Sequence, residues 1–372
     1  MTVYCINPNC LSRRNPCHLK LCQSCGTPLC INYRYRLVSP LIQLDSGRHS
    51  EVWEVEDLGV EAVQGERFKA MKVLKSNNKT LVRLFRQEAE VLKELNHPGL
   101  PNVALGDGYF RVSIPCRRKP LRCLVMAKIE GTNLQKWVNQ KGVIYQEQAL
   151  EWLKQLLKIL EYLHHTKFLI HRDIKPSNII LQPSGQLKLI DFGTVRRMGL
   201  TYLVNMGMGV GGTTIFSPGY TPNEIVTDGM ALPQSDFYSL GRTLVYLLTG
   251  IEPLNLLEQS GRLNWRERAP QVSPKLASWL DYLMASSPFE RPPKVSSILN
   301  DLEGKTVETI PFAPVNLPPR QPPLEPPQPW LIRFNFALFC TLLLTGSFWW
   351  HSQQDNQWQV FQQENYQTQM RR

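Results

Sequence analysis

Between residue 37 and about residue 303 the apolar positions change period repeatedly, so strand-like and helix-like stretches alternate along the chain. "FKAMKVLK", Phe68 to Lys75, reads as a strand. In "LVRLFRQEAEVLKELNHPGLP" the residues Leu84, Phe85, Val91, Leu92 and Leu95 fall near one face at helical spacing, and His97-Pro98 ends the run. Further on, two short apolar runs, "IIL" and "LKLI", are close enough to form a small hairpin.

Toward the C-terminus the pattern changes twice. Pro311 to Pro329 is too rich in proline for a helix or an inner strand and reads as an extended polyproline spacer. Trp330 to Trp350 is then almost wholly apolar. About 20 such residues rising about 1.5 Å each would cross a hydrocarbon core of about 30 Å, so a single transmembrane helix is expected. Arg333 and Asn335 can snorkel to the interface, and Trp330, Trp349 and Trp350 sit at the ends, where aromatic belts form. Arg320 lies before the span and Arg333 near its start, whereas His351 to Met370 contains no Lys or Arg, so the large N-terminal part is expected on the cytoplasmic side. The first residues, "MTVYCINPNC", lack the charged leader and apolar run of a cleaved signal.

Composition adds two points. The net charge of +11 is spread over scattered Lys and Arg rather than one stripe, which favours solubility over nucleic-acid binding. Of nine cysteines, six fall within Cys5 to Cys30, and Cys116, Cys123 and Cys340 stand alone. Such clustering in a reducing compartment points to a local metal site rather than a disulfide framework.

The most informative stretch is "LIHRDIKPSNIILQPSGQLKLIDFG", Leu169 to Gly193. Asp173 lies five residues before Asn178, and Asp191 follows the predicted hairpin. The string resembles the catalytic and magnesium loops of eukaryotic-type (Hanks-type) Ser/Thr protein kinases. The resemblance implies an α+β, bilobal protein kinase fold over residues 37–303, with a small lobe at 37–127 and a large lobe at 131–303. It implies that Asp173 orients the substrate hydroxyl, that Asn178 and Asp191 hold Mg²⁺ (or Mn²⁺), that Lys175 contacts the transferring phosphate, and that Arg172 binds a phosphorylated activation segment.

Other pieces follow in the family's order. Lys72, two residues after Ala70, would reach the ATP phosphates, with Glu88 as its ion-pair partner. "CLVMAKIEG" matches the last small-lobe strand and the hinge, with Met126 as gatekeeper and backbone groups of Ala127 and Ile129 facing adenine. Ser217 stands where a threonine usually bridges the catalytic aspartate and lysine. Glu224 and Arg291 match an expected ion pair, and Asp236 an anchor of the catalytic loop. Thr213 and Thr214 lie where activating phosphorylation is common.

The nucleotide loop departs from the family. Where three glycines are usual, this chain has Asp45, Gly47 and Ser50, so the central glycine survives and a carboxylate replaces the first. One screened charge pair costs on the order of 1 kcal/mol, less than Lys72, Mg²⁺ and the hinge supply. Leu44, Val52 and Ala70 would complete the ATP site. A pseudokinase scaffold is the alternative that Asp45 favours.

Residues 1–36 contain Cys5-x4-Cys10 and Cys22-x2-Cys25-Gly26, a spacing that can close a structural zinc ribbon, with Cys17, His18 and Cys30 as spare ligands. A redox switch, an iron-sulfur centre or a metal-responsive interaction module use the same thiols. Ribbon followed by kinase is similar to the four-cysteine Ser/Thr kinases of cyanobacteria. A linker at 304–329, a transmembrane helix at 330–350 and a Gln-rich tail at 351–372 complete the expected organisation. Protein substrates, ATP and a membrane are the implied partners, and nothing in the pattern specifies an oligomeric state.

Overall fold

A computed structural model describes residues 2–302 apart from Asp45, Ser46, Arg48, 60–66, Leu105, Cys116, 199–215 and 259–261. The proline-rich spacer, the apolar run from Trp330 to Trp350 and the Gln-rich tail lie outside the described residues, as do Thr213 and Thr214. Among the described residues no helix is long and apolar enough to cross a membrane.

The small lobe is one antiparallel sheet. Its strands are β1 (Thr2–Tyr4), β2 (Arg14–Pro16), β3 (Tyr35–Pro40), β4 (Ser50–Asp57), β5 (Phe68–Leu74), β6 (Gly108–Val112) and β7 (Leu121–Ala127), in the order β2-β1-β3-β4-β5-β7-β6. The cysteine-rich stretch is therefore continuous with the lobe: β1 pairs with β3 through Tyr4 and Leu37. Alternation along β4 buries Glu51, Trp53, Val55 and Asp57 on one face of the strand. Ile6 and Ile31 from the cysteine-rich stretch share a core cluster with Trp53, Val55 and Met71. That burial removes apolar surface from water on a side of the sheet that the lobe's own helix does not cover.

Helix α1 (Lys79–Glu94) begins at Asn78, whose side chain accepts the Thr80 and Leu81 N–H groups. Its apolar stripe packs Phe85, Ala89, Val91 and Leu92 into a second core shared with the large lobe, whereas Leu84 is only half-buried. The large lobe contains β8 (Thr132–Asn133), α2 (Leu134–Lys141), α3 (Gln146–Glu161), β9 (Leu169–Ile170), β10 (Ile179–Leu181), β11 (Leu187–Leu189), β12 (Arg196–Arg197), α4 (Asn223–Val226), α5 (Pro233–Thr249), α6 (Pro274–Leu283) and α7 (Val295–Leu302). β10 and β11 form the hairpin expected from "IIL" and "LKLI". Helix α5 is buried nearly all round, from Phe237 to Leu248, with Ser239, Arg242 and Thr243 among the buried residues, and so runs through the core. It starts with Pro233, where a missing N–H costs nothing, and stops at Gly250, whose φ of 70° suits glycine.

Candidate active site

β5 places Lys72 opposite Val52 of β4 and Leu124 of β7. Its ammonium donates to both oxygens of Glu88 at 2.7 and 2.8 Å and to Asp191 Oδ1 at 2.8 Å. Glu88 is 2% exposed while Glu90 faces solvent, so the helix turns one of its two candidate carboxylates inward. Burial pushes the Glu88 carboxyl up, with Lys72 opposing the rise. Burial alone would lower Lys72, yet the charges of Asp191 and Glu88 overcome it and hold the ammonium above its ordinary range. Lys72 in turn holds Asp191 down at about 2, against the cost of its partial desolvation. Helix α1 is tied to the segment after Asp191 twice more: Gln87 Nε2 donates to Val195 O at 2.8 Å, and Arg197 grips Glu94 at 2.6 and 2.8 Å.

The catalytic loop hangs from a buried anchor. Asp236, at the start of α5, accepts the backbone N–H of His171 at 2.9 Å and of Arg172 at 2.8 Å, and lies 2.8 Å from His164 Nε2. Those bonds support a left-handed φ of 71° at Arg172, an uncommon conformation for a side-chain-bearing residue. Asp173 follows with both oxygens engaged. Its Oδ2 accepts Lys175 Nζ at 2.8 Å and Asn178 Nδ2 at 2.8 Å, and its Oδ1 accepts the Ser217 hydroxyl at 2.6 Å. Lys175 also donates to Ser217 Oγ at 2.7 Å, so the serine serves as the bridge expected at that position.

Asn178 commits its amide nitrogen to Asp173, which leaves the amide oxygen to take a cation. The Ile190 N–H donates to the backbone oxygen of Asn178 at 2.9 Å, which ties the Asn178 backbone to the residue before Asp191. Asp191 has a φ of 67° and a side chain 43% exposed to the cleft. An amide and a carboxylate oxygen of this kind suit Mg²⁺, a hard cation that keeps most of its water. Buried Arg172 Nε has no hydrogen-bond partner among the described residues, and the expected threonine sites lie outside them.

Ala70 and Met126 are cross-strand partners on β5 and β7, Ser50 and Val52 lie on β4, and Leu44 and Gly47 precede that strand. Asp45 lies outside the described residues. The Ala127 N–H donates to Asn102 O at 2.8 Å. Of the two expected hinge residues, Ala127 thus has its N–H already engaged within the protein. No signal in the sequence marks Asn102.

The protein kinase domain model matches residues 44–305. The chain belongs to the protein kinase family. Among similar proteins, the serine/threonine-protein kinase PknA of Nostoc sp. is 33% identical over 297 residues, covering 77% of this chain and 50% of that protein. Serine/threonine-protein kinase B of Synechocystis sp. is 30% identical over 324 residues, covering 82% of this chain and 52% of that protein. Serine/threonine-protein kinase C of the same organism is 33% identical over 291 residues, covering 75% and 51%. The chain thus spans about half the length of these curated relatives.

Arg291 meets Glu224 at 2.5 and 3.1 Å, with the guanidinium wholly buried. The ribbon cysteines also converge: the sulfurs of Cys5, Cys10, Cys22 and Cys25 all lie within 4.8 Å of one another. Cys5 to Cys25 and Cys10 to Cys22 are each 3.6 Å apart. Thiolates about 2.3 Å from a tetrahedral Zn²⁺ stand about 3.8 Å from each other, so the donor set and its spacing fit that ion. Burial alone would raise the Cys25 thiol, but hydrogen bonds from Thr27 hold it at about 6, toward the thiolate a metal needs. Cys17 and Cys30, the spare thiols, are outside this group.

Proposed function

We propose that this kinase transfers the γ-phosphate of ATP to serine and threonine hydroxyls of proteins, its own included. The reading rests on the convergence of Glu88 and Asp191 on the Lys72 ammonium, at 2.7 to 2.8 Å. A phosphoryl-transfer site works by holding charge and reactants in place, and an inward helix with a closed ion pair is the arrangement that does so.

Lys72, steadied by Glu88, would bind the α- and β-phosphates. Asp173 would orient the acceptor hydroxyl and take its proton, and Lys175 would offset charge on the transferring phosphoryl group. Ser217 keeps those two side chains in register. Mg²⁺ (or Mn²⁺) on Asp191 and the Asn178 amide oxygen would supply the remaining charge neutralisation. Incubated with labelled ATP and Mg²⁺, the purified chain should label itself and a basic test protein, and Lys72→Met should label about a hundredfold more slowly. Equal labelling by the two proteins, or none by either, would sink the reading.

We further infer that Trp330–Trp350 crosses a membrane once, with the catalytic lobes on the cytoplasmic side, and that Cys5, Cys10, Cys22 and Cys25 hold a structural Zn²⁺. Apolar length and flanking charge support the first inference, and sulfur spacing the second. The full chain should stay with the membrane fraction through alkaline washing while a chain ending at residue 310 does not, and elemental analysis should find zinc in both. Release of the full chain by alkali contradicts the first point, and zinc-free folded protein the second.

A further inference from the structure

Arg13 lies between the two candidate sites and belongs to neither. Its Nε donates to the backbone oxygen of Cys5 at 2.8 Å, and the Cys5 N–H donates back to Arg13 O at 2.8 Å. Its other two nitrogens bind both oxygens of Glu51, at 3.0 and 2.9 Å. The guanidinium also lies 4.6 Å from the centre of the Trp53 ring, and Trp53 Nε1 donates to Glu51 at 3.0 Å. Glu51 is 5% exposed, so this is a desolvated, two-pronged and stacked contact rather than a surface ion pair.

Its location decides what it does. Glu51 and Trp53 share one face of β4, so the residues between and beside them, Ser50 and Val52, point the other way, toward the cleft. Val52 is the register partner of Lys72, and its carbonyl accepts the Leu41 N–H at 2.9 Å where the nucleotide loop begins. Both ends of that loop are thus set by a strand that Arg13 grips from behind. We propose that Arg13 is a positioning residue for nucleotide binding, coupling the backbone at Cys5 to β4 and so fixing Val52 and its register with Lys72. The ribbon is docked independently by Ile6 and Ile31 in the shared core, so its attachment does not depend on this side chain.

The proposal rests on ATP occupying the cleft, and the test separates the two ideas. Equilibrium binding of Mg-ATP, steady-state KM and kcat, and zinc content are measured on the full chain and on Arg13→Gln, Arg13→Lys and Glu51→Gln. Arg13→Gln and Glu51→Gln should each raise the Kd and KM for ATP about fivefold while kcat changes less than about twofold, and the double variant should be no worse than either single. Arg13→Lys, a point charge that cannot span Glu51 and Cys5 together, should fall between. Zinc content should match wild type throughout. Unchanged ATP affinity in folded, zinc-bearing Arg13→Lys and Glu51→Gln proteins overturns the proposal, as does a proportional fall in kcat. Wild type that fails to bind ATP overturns the nucleotide reading itself.

Discussion

Asp173→Asn is expected to lower kcat about a thousandfold, with ATP affinity and thermal stability nearly unchanged. The expectation comes from the hydrogen bonds around the carboxylate. Oδ2 receives two donors that cannot reverse, Lys175 Nζ and Asn178 Nδ2. An asparagine oxygen can take that place. Oδ1 receives the Ser217 hydroxyl, which can rotate and accept from the new amide instead. The loop therefore keeps its shape and its anchor on Asp236, and loses only the group that receives the substrate proton. Neither Lys72 nor Asp191 bonds to Asp173, so nucleotide binding should be spared. Turnover of a peptide substrate, a nucleotide titration and a melting curve check the three parts separately. A variant that turns over at the wild-type rate would remove Asp173 from the chemistry. One that melts far earlier would mean that its role is structural.

Much of this site is legible in the amino-acid sequence, and the reason is local. Asp173, Lys175, Asn178 and Asp191 lie within one hairpin-containing stretch, where spacing along the chain nearly determines spacing in space. Lys72 and Glu88 are farther away, but each sits on an element of unmistakable period, and the inward turn of Glu88 rather than Glu90 follows from the stripe of Phe85, Ala89 and Leu92. The four converging cysteines are legible for the same reason, since a short knuckle leaves its thiols few places to go.

What stays hidden depends on contacts between distant segments. The pairing of Tyr4 with Leu37, which makes the ribbon part of the small-lobe sheet, leaves no mark in either stretch. Nor does the Arg13–Glu51 contact: each residue alone looks like a solvated charge, and only the buried Trp53 ring against both of them gives the pair meaning. The carbonyl of Asn102 is a backbone group, which composition and periodicity never expose. Glu224 and Arg291, by contrast, are paired through family resemblance, a route that a physical reading of either segment cannot supply.

That pair carries the other large effect. Arg291→Met should destabilise the kinase by about 3–5 kcal/mol, because it strands the Glu224 carboxylate in a dry site. Only the Ser235 hydroxyl, at 2.9 Å, would remain to it among the side-chain partners found for Glu224. The arginine also donates to the backbone oxygens of Ala285, Gln234 and Ser286 and lies over the Tyr238 ring, and methionine replaces the volume but none of those bonds. A melting temperature lower by roughly 10 °C is the expected measurement. Adding Glu224→Leu should recover part of the loss, since two apolar groups in that space leave no stranded charge. The loss should also reach catalysis, because Glu224 follows closely on Ser217 and Tyr220 in the segment that bridges Asp173 to Lys175. A single variant that melts as wild type would mean that the carboxylate finds water once the arginine is gone. A double variant as unstable as the single would place the stabilisation in the backbone bonds of Arg291 instead of in its charge.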